Sequence, residues 1–561
     1  MTVSSATSNT SSATPNAVTT SSSNTSGGID WNALINAAVN AKLTQATSIS
    51  TNITANQAKI SAYQGLQTNL KTLASGLTSL SSSIINSLAT NAFAARAATI
   101  SSSGDVSASA ALSMTVGSGA ATGDHKLQIS QLATAQKVIG SSQSSQTTAL
   151  GYSGTFSIGL SGGSTSAVTI TSTMTLQDVA DAINAQSSTT NVGASIVQVS
   201  SGSYQLVLTG AKDGVNISYA STSGDDILNK LGVTDSSGAF GNVLQVAQSA
   251  QFTLDGISMT RNTNDISDVL GGITFDLLQA TPSGTTINIS IAPDTTQITS
   301  ALQTFVTNYN AYRDAVIAQQ ATNSDGTASS SAVLFGDGTM RDITNQLEAV
   351  LTGTVGGLTM SDLGLSFNEK NELVLDSGTL SAILTSNLSG VTKFLSAQTT
   401  TSSSQLTVVN TGTAPQSFTL DLAVDSSGTL TGASVGGDSS LFTVSGTSIV
   451  GNAGTAYAGM AFTYSGSTSQ SITVTSTSGI AAQLYQIANT YSKSTGSLQT
   501  LITDLQTRDG TMQQKVDDID NAAAAFKAQL QSQYAKYQAA IQSANNTLNY
   551  LKAILNAGSN N

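Results

Sequence analysis

Residues that could carry out chemistry are scarce in this sequence. Its 561 residues include one histidine, His125, and no cysteine. This composition excludes thiol nucleophiles, disulfides, zinc–thiolate clusters and any metal site that needs two histidines. A histidine base at His125, in the strand-like run HKLQIS, would need an orienting carboxylate and a nucleophile nearby. The sequence indicates neither, so we predict no catalytic role for His125 and no enzymatic activity.

Three other patterns are only superficially similar to functional sites. Asp225 and Asp226 are adjacent in TSGDDILNKLG, where they favour a helix start over an acid–base pair. NSDGTASSS from Asn323 and GDGTM from Gly336 lack the glutamate that a calcium loop carries at its twelfth position. GSGAATG from Gly117 has neither dinucleotide-binding spacing nor a P-loop lysine. We therefore predict no cofactor and no metal ion.

The charge pattern excludes two further classes of partner. Only 9% of the residues are charged, the formal net charge is −12, and the sequence pI is about 4.4. Nucleic-acid binding needs clustered Lys and Arg, which are scattered here, so no nucleic acid partner is expected. No apolar run reaches the ~20 residues of a membrane span, so no membrane insertion is expected. Residues 1–28, rich in Ser, Thr and Asn, lack a secretory signal pattern and predict a disordered tail.

Both ends of the chain show the apolar spacing of long helices. After a helix cap expected at Asp30, apolar residues recur at steps of three and four as far as Ile84. The same spacing runs from Leu498 to Leu555, with Asp509 in a slot where an apolar residue is expected. Such seams are typical of coiled coils. At 1.5 Å per residue, helices of about 55–60 residues would each span roughly 80–90 Å. We predict that the two termini form a helical leg.

Between the termini, alternating strands are interspersed with shorter helices. The sequence therefore predicts a multidomain α+β fold, in which long terminal helices form a coiled-coil or helix-bundle leg and β-rich head domains are inserted between them. The predicted divisions are a tail at 1–28, an N-terminal leg at 29–95, a first β-rich head domain at 96–136 and 248–294, a second α+β head domain at 137–247, central helices with a hairpin at 295–397, an extra β domain at 398–479, and a C-terminal leg at 480–561.

One segment carries a specific family resemblance. Residues 250–278 read AQFTLDGISMTRNTNDISDVLGGITFDLL, which resembles a segment of the flagellar filament-capping proteins, also called flagellar hook-associated protein 2. The matching positions are Phe252, Asp255, Gly256, Arg261, Asn264, Asp268, Val269, Gly272, Thr274 and Leu277. GIDWNALINAAVNAKL, ISQLATAQKVIGSS, LFGDGTMRDI and LGLSFNEKNELVLD also resemble this family, in the expected order. TLQDVADAIN with YQLVLTGAKDG resembles a repeat that cap proteins share with some flagellins.

This resemblance implies a structural assembly protein, secreted to the tip of the bacterial flagellar filament. It would travel through the flagellar type III export apparatus with an export chaperone, form a ring-shaped homo-oligomer, and promote flagellin polymerisation beneath the ring. The helical seams supply candidate contacts with other subunits, the filament or the chaperone: Leu34, Leu70, Leu77, Leu548, Leu551 and Leu555.

Two alternatives remain open at this point. The Ser/Thr-rich strands of the head favour a surface β-domain adhesin or binding module. The terminal heptads are also compatible with another axial flagellar protein such as a flagellin, although the 250–278 segment disfavours it. The family often passes directly from a segment like VTKFL to one like GIAAQLYQIANTYSKSTGSL, so the extra β domain at 398–479 departs from its pattern.

Overall fold

The structure is a computed structural model that describes residues 30–81, 91–411 and 417–558. The tail predicted at 1–28 and the seam residue Ile84 lie outside these residues. The chain divides into two compact units. We call the first the leg unit (Met1–Thr72, Ala311–Gln346 and Ile487–Asn561) and the second the head unit (Leu73–Asn310 and Leu347–Gln486).

The α-helices of the described residues are α1 Trp31–Leu77, α2 Ala108–Ala111, α3 Leu176–Asn184, α4 Ser187–Thr190, α5 Ile227–Lys230, α6 Thr295–Gln319, α7 Gly338–Leu351, α8 Ser377–Ser386, α9 Leu388–Leu395, α10 Ile480–Ser492 and α11 Ser497–Gly558.

The strands are β1 Arg96–Ser102, β2 Leu112–Val116, β3 Gly123–Gln131, β4 Lys137–Ile139, β5 Gly154–Leu160, β6 Thr165–Ile170, β7 Val192–Ser200, β8 Ser203–Gly210, β9 Ile217–Gly224, β10 Val243–Gln245, β11 Ala250–Leu254, β12 Ile257–Arg261, β13 Asp265–Leu270, β14 Ile273–Leu277, β15 Ile287–Pro293, β16 Leu365–Phe367, β17 Leu373–Leu375, β18 Gln398–Thr401, β19 Leu406–Thr411, β20 Ser417–Val424, β21 Leu430–Ser434, β22 Phe442–Ser445, β23 Ser448–Gly451, β24 Met460–Tyr464 and β25 Gln470–Thr477.

The two terminal helices differ in length from their predicted values. α1 has 47 residues and α11 has 62. The Asp30 carboxylate accepts a hydrogen bond from the Ala33 N–H (3.0 Å), so the predicted cap of α1 is confirmed. α1 ends at Leu77, earlier than the apolar spacing indicated, and the chain turns at 78–80. α11 is separated from α10 by a turn, and a Cβ on Gly496 would approach the Thr490 carbonyl oxygen to 2.6 Å. Glycine at 496 is therefore required by close backbone contact.

Two sheets of the head unit enclose a common core. One sheet has the strand order β1-β15-β3-β11-β12 and the other has the order β13-β14-β2. The 250–278 segment contributes two hairpins to these sheets, β11 with β12 and β13 with β14. Alternate residues of the strands face inward, including Phe252, Phe275 and Ile289, which are buried. The segment that carries the family resemblance is thus a principal part of this core.

A second core of the head unit is formed by residues between 138 and 233. It lies between helix α3 and two sheets, of strand order β10-β4-β8-β7 and β6-β5-β9. Thr175 and Asp178 form a reciprocal capping box at the start of α3. Leu176, Val179 and Ile183 of this helix are buried against the sheets.

A third core contains buried residues from Leu406 to Val474. The strands around it form two four-stranded sheets, β18-β25-β20-β21 and β19-β24-β23-β22. We call residues 398–479 the inserted β module. The first and last strands pair with each other, Gln398 opposite Thr477. A Cβ on Gly479 would come within 2.3 Å of the Leu395 carbonyl carbon, so the chain enters and leaves this module side by side.

Candidate assembly interface on the terminal helices

In the leg unit, helices α1 and α11 run antiparallel along a shared apolar seam. Trp31 stacks on Tyr534 with ring centroids 4.7 Å apart, and Asn56 contacts Asp509. The separation of 25 positions between Trp31 and Asn56 thus equals the separation between Asp509 and Tyr534. Two groups of apolar side chains fill the seam between these contacts: Ile35, Val39, Leu43, Ala523, Phe526 and Leu530, and then Ala46, Ile49, Ile53, Met512, Val516 and Ile519. The seam has the geometry of an intramolecular coiled coil.

A polar pair interrupts this seam. The Asn56 Nδ2 donates to Asp509 Oδ1 at 2.8 Å, and both side chains are partly buried. The Asp509 Oδ2 is buried without a hydrogen-bond partner among the described residues. Sequence reasoning singled out Asp509 but missed Asn56. The signal was available, because Asn56 occupies the seam slot between Ile53 and Ile60.

Hydrogen bonds join the remaining helical segments of the leg unit. The Tyr63 hydroxyl donates to Asp337 Oδ2 at 2.6 Å, and burial together with this carboxylate raises the pKa of Tyr63. The Tyr491 hydroxyl donates to Asp342 Oδ2 at 2.5 Å, which lowers the pKa of the Asp342 carboxyl. The Asp337 carboxylate also accepts from the Met340 N–H at the start of α7. These contacts hold α7 against α1 and α10.

Beyond Tyr534 no described residue of the chain covers the seam of α11. Residues 535–558 extend roughly 36 Å past Trp31, the first residue of α1. Large apolar side chains along this extension are exposed: Tyr537 57%, Leu548 49%, Tyr550 68%, Leu551 50%, Ile554 51% and Leu555 71%. An uncovered apolar stripe of this length is typical of a helix that pairs with another chain.

The six predicted contact residues fall into two groups. Leu34, Leu548, Leu551 and Leu555 are about half exposed or more. Leu70 and Leu77 are buried within the chain, and Leu77 lines a small apolar cavity with Phe305 and Leu484. Their burial corrects the prediction for these two positions, because a side chain enclosed by its own subunit has no surface left for a partner. The spacing of apolar residues along a helix does not reveal which of them are buried by other segments of the same chain.

His125 has a structural role in the head unit. Its Nδ1 lies 2.7 Å from Asp255 Oδ2, and the other carboxylate oxygen accepts from the Lys126 N–H at 2.8 Å. The hydrogen bond with His125 is the main reason that the pKa of Asp255 is lowered. Asp255 and Gly256 both have positive φ, 52° and 82°, in the tight turn between β11 and β12. The pair therefore fastens this turn to strand β3.

The other matching residues of the 250–278 segment are also architectural. The Asn264 side chain accepts from the Ala133 N–H at 2.8 Å and donates to the Ala133 carbonyl at 2.9 Å. The Arg261 Nε lies 2.9 Å from Asp268 Oδ2 and connects two strands. Gly272 has φ 78° in the turn between β13 and β14. The segment thus specifies turns and strand contacts.

The patterns tested for chemistry have local structural roles. Asp226 caps helix α5 by accepting from the Asn229 N–H, and the Tyr219 hydroxyl also donates to it. The Asp325 carboxylate in NSDGTASSS accepts from the Thr327 N–H, which makes a local turn. Across residues 30–81, 91–411 and 417–558, no cluster of three or more His, Asp or Glu could hold a metal ion. In the same residues, no helix has the length and apolar character needed to cross a bilayer.

Paired terminal helices with β-rich domains inserted between them define a multidomain α+β protein with a helical leg, and this fold alone does not give a function. Two family models identify the family: flagellar hook-associated protein 2 N-terminus matches residues 27–136, and flagellar hook-associated protein 2 C-terminus matches residues 247–546. The chain belongs to the flagellar hook-associated protein 2 family. A third model, the flagellin hook IN motif, matches residues 155–212, within the stretch that resembles a repeat of some flagellins.

Curated relatives agree with this assignment. The chain is 26% identical over 361 residues to B-type flagellar hook-associated protein 2 of Pseudomonas aeruginosa, a match that covers 61% of this chain and 73% of the relative. It is 29% identical over 351 residues to flagellar hook-associated protein 2 of Escherichia coli K12, covering 60% of this chain and 71% of the relative. The resemblance found in the sequence is therefore confirmed.

A solved structure shares the fold. The crystal structure of the D1-D2-D3 domains of the flagellar cap protein FliD from Escherichia coli covers 79% of this chain and 99% of its own, with a TM-score of 0.50 and 22% identity. At this identity the likeness is one of fold, and it confirms the predicted multidomain α+β architecture.

Proposed function

We propose that this protein caps the distal end of the bacterial flagellar filament. Several copies form a ring-shaped homo-oligomer at the filament tip, and flagellin subunits polymerise beneath that ring. The observation that carries the proposal is the flagellar hook-associated protein 2 C-terminus match, which spans more than half of the chain. This match favours a cap over the flagellin alternative. The protein acts by positioning subunits rather than by catalysis.

The exposed end of α11 supports a contact between chains. Leu548, Leu551 and Leu555 lie on one stripe of the helix, spaced by three and four residues. Burying such side chains is favourable by about 1.5–3 kcal/mol each, so this seam gains stability when another helix covers it. In the assembled cap, we assign that cover to neighbouring copies or to the filament. Leu34, near the start of α1, contributes to the same contacts.

Export precedes this assembly. The chain reaches the tip through the flagellar type III export apparatus, and an export chaperone covers the exposed seam of α11 beforehand. A cysteine-free chain suits this route, because no disulfide can form to block passage through a narrow channel. Chaperone and cap contacts thus use the same apolar stripe at different times.

Deletion of the gene tests the cap function. Cells without the protein should lose their filaments and release monomeric flagellin into the medium, as measured by electron microscopy and immunoblotting. Re-expression of the wild-type chain should restore filaments. Normal filaments in the deletion strain would overturn the proposal.

Substitutions in the exposed seam test its contacts. Leu551→Asp with Leu555→Asp should weaken both oligomerisation and chaperone binding. Each substitution places a charged carboxylate in an apolar interface, where burying it is unfavourable. Size-exclusion chromatography with light scattering measures the first effect and isothermal titration calorimetry the second. The matched control is Asn546→Asp, at an exposed position on the opposite face of α11. Unchanged assembly and chaperone affinity in the double variant would remove this seam from the proposal.

A further inference from the structure

The apolar residues of α1 and α11 do not by themselves determine how the two helices align. Because the seam repeats about every seven residues, sliding α11 by one heptad again places apolar side chains opposite one another. In the observed alignment Asn56 lies opposite Asp509. A slide in one direction would place Asn56 opposite Val516, and a slide in the other would place it opposite Ile502. Val516 and Ile502 are buried apolar residues.

The polar pair distinguishes these alignments. In one slid alignment the Asp509 carboxylate would face Ile49 in place of the Asn56 amide. In the other it would face Tyr63, whose hydroxyl already donates to Asp337. A partly buried carboxylate that loses its hydrogen-bond donor to an apolar side chain is strongly disfavoured. The same argument applies to two copies of α11 paired antiparallel. That pairing would bring two Asp509 carboxylates together or leave each against an apolar group.

We propose that Asn56 and Asp509 are specificity-determining residues, which select both the register of the leg and the pairing of α11 with α1 of the same chain. Other coiled coils use a single polar seam residue in this way, at a cost in stability. That cost is visible here, because the Asp509 Oδ2 is buried and has no partner among the described residues. The inference concerns the helix pair alone and does not depend on the cap function.

Disulfide trapping in the full-length chain tests the proposal, since the protein has no cysteine of its own. Ala46→Cys with Ile519→Cys reports the observed register. Ala46→Cys with Met512→Cys, and Ala46→Cys with Phe526→Cys, report the two slid registers. With Asn56 and Asp509 intact, the native pair should form disulfide in preference to either slid pair by about tenfold or more. In Asn56→Leu/Asp509→Leu this preference should fall severalfold, while the thermal unfolding midpoint rises.

Two controls separate register selection from general damage. Asp509→Asn keeps a hydrogen-bonding partner for Asn56 and should retain the native preference. Asp518→Leu makes a similar chemical change at an exposed position of α11 and should also retain it. Oligomeric state is measured in parallel, and Asn56→Leu/Asp509→Leu should show additional dimers crosslinked through α11. If the double leucine variant traps only the native pair and forms no new dimers, the proposal is wrong.

Discussion

At the scale of single residues, the Asn264 side chain makes the hydrogen bonds that a neighbouring strand would otherwise make. Its amide both accepts from and donates to the backbone of Ala133, so a side chain completes pairing that the sheet leaves open. Sequence comparison identified Asn264 as a matching residue. Its partner could not be predicted, because the contact joins residues 131 positions apart.

Asn264→Ala should destabilise the local structure around Ala133. The substitution leaves a backbone N–H and a carbonyl without partners, at a cost of about 2 kcal/mol. Native-state hydrogen exchange of the β3 and β14 amides would measure the loss as reduced protection. Thr260→Ala, at an exposed position of the edge strand β12, serves as the control and should change protection by less than about 0.5 kcal/mol. Equal effects of the two substitutions would contradict the bridging role of Asn264.

Asp255→Asn should change how head stability depends on pH. The lowered pKa of Asp255 means that the folded state favours the charged carboxylate. This contribution is complete above the usual Asp pKa of about 3.9 and is lost as the pH falls through the lower folded value. Asn keeps the left-handed turn accessible. Wild type should therefore have the higher unfolding midpoint near pH 6, and the difference should shrink in strong acid. A difference that stays constant with pH would exclude the charged interaction.

At the scale of elements, the terminal helices could be predicted but their ends could not. Apolar spacing correctly indicated helices at both termini, since a helical seam is a local pattern. It did not show that α1 stops at Leu77 or how deeply Ile502 of α11 is buried. Helix ends and fine rotation depend on packing against distant segments, which spacing does not encode.

Leu70 and Leu551 should respond differently to the same substitution. Leu70→Ala removes a fully buried side chain and should lower the stability of the leg unit by about 2–5 kcal/mol. Leu551→Ala should change the stability of the monomer by less than about 0.5 kcal/mol, because half of its side chain is already exposed. Hydrogen exchange of the α1 and α11 amides in dilute protein would compare them. Comparable losses would show that α11 is covered near Leu551 within a single chain.

At the scale of the whole molecule, the inserted β module differs in charge composition from the rest of the chain. Its residues from 398 to 479 include three aspartates and no lysine, arginine, glutamate or histidine. Composition and alternating strands were enough to predict a β domain there. The adhesin alternative therefore applies to this module and not to the entire protein.

Removing the inserted β module should leave the remainder folded. The module has its own apolar core, so replacing residues 399–478 by a short Gly-Ser linker should preserve circular dichroism of the other domains, and filaments should still form in a deletion strain. Loss of adhesion to host or abiotic surfaces by otherwise motile cells would assign the module that second activity. Loss of filaments with a folded protein would instead assign it to cap assembly.

The pairing of Gln398 with Thr477, next to the close approach of Gly479 to Leu395, has a consequence for the evolution of this protein. Neighbouring antiparallel strands hold their Cα atoms about 4.5–5.5 Å apart, so any domain whose own ends lie that close fits the same opening. What the molecule displays at this position can therefore change while the framework around it stays unaltered. An engineer could insert a chosen domain at the same position.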